Sequence, residues 1–118
     1  MSILDFFTKG KQISDVKQLE VNEISDLFKK KDKSYIFIDV REPNEWEQGV
    51  IPGITKISIG NIEKHFSELN KDRNYIIVCR SGNRSGKVAE KMAQAGYGNV
   101  INFKGGMLDW YANKLPVE

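Results

Sequence analysis

Tyr75-Ile76-Ile77-Val78-Cys79-Arg80-Ser81-Gly82-Asn83-Arg84-Ser85 is the stretch whose reading decides the fold. Residues 75–78 form a short, β-branched, apolar run that reads as a buried strand, and the residues after Ser85 read as a helix. The sole cysteine of the chain therefore stands where a strand ends and a loop enters a helix N-terminus. Such a place collects backbone N–H groups without partners and the positive end of a helix dipole, and it favours an anion. Arg80 and Arg84 add two cations that never lose their charge. All of these favour thiolate over thiol, and the thiolate is the attacking species. A helix terminus supplies up to ~2 kcal/mol, which at about 1.4 kcal/mol per pKa unit carries a thiol of about 8.5 toward neutrality. A lone cysteine at a strand end is by itself an ordinary small hydrophobe. Packing does not ask for two arginines, a glycine and two hydroxyls in the next six positions, so Cys79 reads as a nucleophile.

The rest of the chain supplies a frame for that loop. Its 118 residues are the size of one domain, and their apolar and charged fractions are ordinary for a globular protein. A net charge of +2 with mixed signs gives no reason to expect a nucleic-acid or membrane surface. Lys29-Lys30-Lys31 reads as the solvated end of a helix. One cysteine excludes an internal disulfide, and zinc-ligand spacing is missing. Met1 to Gln12 has no basic leader or small-residue cleavage site, and no stretch is long enough to span a bilayer. A reducing, cytoplasmic setting is the expectation.

In chain order, residues 1–18 read as an N-terminal extension, with a short amphipathic helix over residues 1–12, and 19–118 as the domain. Val21, Ile24, Leu27 and Phe28 recur at helical spacing between Leu19 and Lys30. Tyr35-Ile36-Phe37-Ile38 is a strand, and Pro43 opens a helix with acids in its first turn. Next come a turn over Gly49–Gly53, a short strand Ile57-Ser58-Ile59 and a helical piece over Asn61–Ser67. After Ser85 the chain reads as a helix from Gly86 to Ala95, a strand Val100–Phe103, and a last helix entered through Gly105-Gly106. Strands alternating with helices imply an α/β domain with a mainly parallel central sheet, flanked by helices on both faces.

Ligands of such sheets bind at the C-terminal strand ends, where Asp39, Cys79 and Phe103 fall, and Arg41, Glu42, Lys104 and Gly105 would line the same mouth. Asp39 and Arg41 read first as a structural ion pair supporting the first loop. Trp46, Trp110 and Tyr111 read as core or pocket wall, Gly105-Gly106 as a backbone requirement, and His65 carries no catalytic assignment.

Three motifs together resemble the rhodanese family of single-domain sulfurtransferases. They are Asp39-Val40-Arg41-Glu42-Pro43 with Trp46 and the Gly49-Val50-Ile51-Pro52-Gly53 turn, the loop Cys79–Ser85, and Lys104-Gly105-Gly106 with Trp110 beyond it. The match runs from about Leu19 to Leu115 and departs at Val50, where the family commonly has histidine. The resemblance implies a persulfide cycle without metal or organic cofactor. Cys79 would take sulfane sulfur from thiosulfate, or from a protein or low-molecular-weight persulfide, and pass it to a thiol or other thiophilic acceptor. Arg80 and Arg84 would hold an anionic donor, Ser81 or Ser85 would offer a hydroxyl, and the backbone from Arg80 through Gly82 and Asn83 to Ser85 would cradle the outer sulfur. Cysteine phosphatases place five residues between cysteine and arginine; here there are four. Phosphatase or arsenate reductase activity and a non-catalytic rhodanese-like binding module are the competing readings.

Overall fold

The computed structural model describes residues 16–118, and the helix expected over residues 1–12 lies outside them. Strand β1 is Lys17–Leu19 and helix α1 is Val21–Lys30. Glu20 and Glu23 cap α1 reciprocally, and Lys31, left-handed at φ 52°, ends it after Lys29 and Lys30. Strand β2, Tyr35–Asp39, leads into the one-turn helix α2, Pro43–Trp46. Pro43 supplies the helical φ without needing a donor, and Glu42 and Glu45 close a second capping box. Then come β3 (Thr55–Lys56), a 3-10 helix (Ile62–Glu68), β4 (Asn74–Val78) and α3 (Asn83–Gln94). Strand β5 (Asn99–Phe103) and helix α4 (Gly106–Ala112) complete the fold.

The five strands form one sheet in the order β1-β5-β4-β2-β3, with every pair parallel. Residues of β4 alternate between two cores, as the two-residue period of a strand requires. Tyr75, Ile77 and Cys79 pack with Val88, Ala89 and Met92 of α3 and with Ile62. Ile76 and Val78 pack on the other side with Ile24 of α1 and Met107 and Trp110 of α4. Helices thus cover both faces, as expected. From β2 the chain runs outward to β3, and from β4 it runs outward the other way to β5. The order reverses between β2 and β4, where Asp39 pairs with Val78, and the C-terminal strand ends beside such a reversal are where open α/β sheets take ligands.

Three boundaries differ from the sequence reading. Lys17 and Gln18, assigned to the extension, belong to edge strand β1, where only Leu19 is buried and no apolar alternation announces a strand. The two-residue β3 lies at Thr55–Lys56, ahead of the expected Ile57–Ile59. Ile57 and Ile59 instead donate to the Asp39 and Val40 carbonyls as the chain bends inward, so their apolar character reflects burial in the core. Helix α3 starts at Asn83 rather than Gly86, which puts Asn83, Arg84 and Ser85 in its first turn.

Asp39 and Arg41 form the buried ion pair expected of them, 0% and 1% exposed. Arg41 Nε and Nη2 clasp the carboxylate at 2.9–3.1 Å, while Nη2 also donates to the Gly49 carbonyl and Nη1 to the Tyr111 hydroxyl. The pair ties β2 to the 49–53 turn and to α4. Arg41 therefore faces inward and does not line the mouth, against expectation. Its guanidinium is disfavoured by burial but held charged by Asp39, so its pKa is raised. Removing one partner of a buried pair strands the other. Asp39→Ala should accordingly cost about 3–5 kcal/mol; a urea denaturation midpoint unchanged from wild type would contradict this.

Candidate active site

The β4–α3 loop folds around a single atom. Cys79 is 1% exposed, and its Sγ accepts from the Gly82 N–H at 3.2 Å, the Ser85 N–H at 3.3 Å and the Ser85 hydroxyl at 3.3 Å. Helix α3 has Gly82 at its N-cap, with no side chain to satisfy the first turn. Sulfur takes the place that a serine or aspartate oxygen fills elsewhere. Burial pushes the thiol up, and the Ser85 hydroxyl with the Ser85, Ser81 and Gly82 N–H groups pulls it down further, leaving it below its ordinary value.

The loop is held from behind. Gly82 adopts φ +88°, and a Cβ there would sit 2.0 Å from the Lys104 carbonyl oxygen. Gly106 at φ +62° leaves no room for a Cβ beside the Cys79 and Arg80 carbonyls. Those carbonyls accept from the Met107 and Leu108 N–H groups at 2.9 and 3.0 Å. The Lys104-Gly105-Gly106 motif is a backbone requirement, as the sequence suggested. It lets α4 clamp the loop bearing Cys79.

Of the two loop arginines, Arg84 is placed otherwise than expected. Both terminal nitrogens of Arg84 are committed to Glu45 of α2, at 2.7 and 2.8 Å. Arg84 thus serves as a brace between α2 and α3, and does not stand open to clamp an anion. Its charge is further favoured by the Cys79 thiolate, though hydrogen bonds rather than guanidinium charge dominate the tuning of the thiol. Arg80, Ser81 and Asn83 are exposed on the rim, where Ser81 acts on sulfur through its N–H. Glu42 is exposed as well. Lys104 and Ser81 line a groove of about 560 Å³ beside the loop, together with Gln18, Gly82 and Asn102.

Two residues escape a reading of the sequence. Glu45 stands out there only as a first-turn acid. Asn102, 3% exposed on β5, accepts from the Ser85 hydroxyl at 2.6 Å and donates to the Gly82 carbonyl at 3.0 Å and to Gln18 Oε1 at 2.8 Å. His65 pairs with Glu68 at 3.0 Å on the surface, Trp110 is fully buried, and Tyr111 joins the Arg41 lock. Val50 is buried in the core, and its backbone pairs with Glu118 in both directions.

The family model of the rhodanese-like domain matches residues 20–113. The chain belongs to that family. A rhodanese-related protein of Thermoplasma volcanium is 30% identical, with a TM-score of 0.75 and coverage of 86% of this chain and 97% of that one. A sulfurtransferase of Allochromatium vinosum is 39% identical over 82 residues, 70% of this chain and 77% of that protein. YrkF of Bacillus subtilis, named as a candidate sulfur carrier protein, is 40% identical over 109 residues. The match covers 89% of this rhodanese-like chain but only 59% of YrkF.

Arg84, through its hydrogen bonds, pulls the Glu45 carboxyl down from 4.5 to about 2. Because the folded-state pKa is depressed, the pair stabilises the fold above pH 4.5, and this contribution is lost as pH falls toward about 2. Glu45→Gln should be less stable than wild type at neutral pH by about 1 kcal/mol, the scale of a partly exposed pair. Denaturation curves across the acid range should converge as pH drops; a constant gap would contradict the assignment.

Proposed function

We propose that this rhodanese-like chain is a sulfurtransferase that carries sulfane sulfur on Cys79 as a persulfide. The observation that supports it most is the ring of uncharged donors around Sγ, closed tightly on a loop with four residues between Cys79 and Arg84. In the first half-reaction the thiolate lone pair attacks the outer sulfur of thiosulfate. The Sγ–S bond forms, the S–S bond of the donor breaks, and sulfite leaves with the electron pair. The outer sulfur now carries the negative charge. In the second half, an acceptor thiolate attacks that outer sulfur and Sγ leaves as thiolate. No net oxidation of the protein accompanies the cycle.

The loop suits each step. The first turn of α3 leaves the Asn83 and Arg84 N–H groups without an intrahelical carbonyl, so donors remain for charge on the second sulfur. Arg80 and Lys104, exposed at the rim, favour approach of an anionic donor. Commitment of Arg84 to Glu45 speaks against a phosphatase, whose tetrahedral substrate needs that guanidinium. The name of the Allochromatium relative agrees with sulfur transfer. No helix among the described residues is long and apolar enough to cross a membrane, and a reducing cytoplasmic setting would keep Cys79 a thiol.

Incubation with thiosulfate should add the mass of one sulfur atom to the wild type, removable by reductant, and nothing to Cys79→Ser. Failure to load from thiosulfate and from small or protein persulfides, with Cys79 still open to alkylation, would overturn the proposal and favour a binding module. Alkylation of the free enzyme should track an apparent thiol pKa below the ordinary value of about 8.5. An ordinary or higher value would remove the physical basis of the cradle.

A further inference from the structure

The Ser85 hydroxyl has one hydrogen and two acceptors within reach. Cys79 Sγ lies at 3.3 Å and Asn102 Oδ1 at 2.6 Å. The orientation of the Asn102 amide is fixed by its other neighbours. The Gly82 carbonyl can only accept, so Nδ2 must face it, and Oδ1 is left facing Ser85. Ser85 is fully buried and Asn102 is 3% exposed, so each acceptor is held by the fold beside the hydroxyl. Two oxygens 2.6 Å apart need a hydrogen between them. When the hydroxyl turns toward a charged sulfur, Asn102 Oδ1 loses its donor. When sulfur loses its charge, the hydroxyl turns back.

We infer that Asn102 is a positioning residue that acts through Ser85, competing with Cys79 Sγ for the single hydroxyl hydrogen. This inference rests on the persulfide reading for its consequence but not for its basis. In the thiolate state the hydroxyl serves Sγ. Once Sγ is bonded to a second sulfur, the negative charge has moved outward and the hydroxyl serves Asn102. Asn102 therefore favours the thiol and persulfide states over the bare thiolate, and it biases the cycle toward the loaded form. Gln18, on the second Nδ2 hydrogen at 2.8 Å, steadies the amide from β1 without touching the hydroxyl.

The charged groups around the sulfur are common to all variants of this network. Arg84 faces it from α3 with Glu45 from α2 across the guanidinium, the Asp39–Arg41 pair lies at the end of β2, and Arg80 and Lys104 stand on the rim. None is displaced by a change at position 102. The sign of the effect is consequently diagnostic. Loss of the donor in Ser85→Ala raises the Cys79 pKa, whereas loss of the competing acceptor in Asn102→Val lowers it. Loop damage in either variant would raise it.

The experiment is the pH dependence of iodoacetamide alkylation for wild type, Ser85→Ala, Asn102→Val, the double variant and Gln18→Leu. Opposite shifts of about half to one unit are expected for the two single changes, the size of one hydrogen bond. The double variant should match Ser85→Ala, because Asn102 has nothing left to compete for. Gln18→Leu should leave the profile in place. A raised pKa in Asn102→Val, or an Asn102 effect that persists without Ser85, overturns the inference. Should Asn102→Val fail to fold, the wild type answers alone: the Asn102 side-chain amide signals in NMR should titrate with Cys79, and a flat response overturns the inference. These arms involve no sulfur donor, so they separate this inference from the transfer activity. Where loading occurs, Asn102→Val should retain about three- to tenfold less persulfide at equilibrium.

Discussion

The first turn of α3 needs an acceptor for its N–H groups, and a cysteine sulfur supplies it. With Gly82 at the N-cap, no side-chain oxygen is available, and Sγ accepts from Gly82 and Ser85 in its stead. This requirement forces the chain into a tight coil around one atom, and the rest of the architecture accommodates it. Gly82 must be left-handed against the Lys104 carbonyl, Gly106 must lack a Cβ, and α4 must begin where its first N–H groups meet the Cys79 and Arg80 carbonyls. Folding and the proposed chemistry thus use the same atom. Whatever strengthens sulfur as an acceptor, above all its negative charge, also strengthens the helix start.

Behind the site the charges are paired, while Arg80 and Lys104 stand exposed at its rim. Arg41 answers Asp39 in the core, and Arg84 answers Glu45 between two helices. Each pair fastens a loop at the C-terminal sheet edge. Asp39 holds the end of β2 across from Val78, and Glu45 links α2 to the first turn of α3. Breaking the buried Asp39–Arg41 pair leaves a charge in low dielectric, whereas the partly exposed Arg84–Glu45 pair fastens at a smaller stake. Tuning of the thiol then falls to short-range hydrogen bonds.

How much of this can be read from the sequence depends on where burial and periodicity coincide. Strands β2 and β4 hold continuous apolar runs between turn signals, β5 is apolar apart from its asparagines, and α1 has a clean helical stripe, so sheet, layers and cysteine position are legible. Strand β1 is not, because Lys17 and Gln18 are exposed and the pairing comes from β5 rather than from local propensity. Strand β3 is displaced from its expected place because Ile57 and Ile59 are apolar for the core they enter, while the paired residues Thr55 and Lys56 are exposed. The loop is evident in the sequence but the partners of its charges are not. Nothing local announces that Arg84 meets Glu45, 39 positions earlier. Asn102 does leave a signal. A polar amide inside Val100-Ile101-Asn102-Phe103 must be satisfied within the fold, and its partners are Ser85 and Gly82 of the loop that carries Cys79, with Gln18 of β1.

The neutral character of the cradle also bears on the kind of chemistry it can support. In a persulfide cycle the negative charge starts on Sγ, moves one bond outward on loading, and returns on transfer. A guanidinium fixed against Sγ would stabilise one end of that movement at the expense of the other, and its attraction grows strong in a dry site. A row of N–H dipoles along a helix start makes a smaller distinction between adjacent sulfur positions, since several donors converge on both. A hydroxyl adds a donor that can track the charge, because it turns about its C–O bond at little cost while a backbone N–H cannot. It needs a second acceptor to turn toward, since a buried hydroxyl hydrogen without one costs about 1–3 kcal/mol. Asn102 provides that acceptor at 2.6 Å. The same amide holds the Gly82 carbonyl at 3.0 Å, so it joins the hydroxyl to the loop backbone.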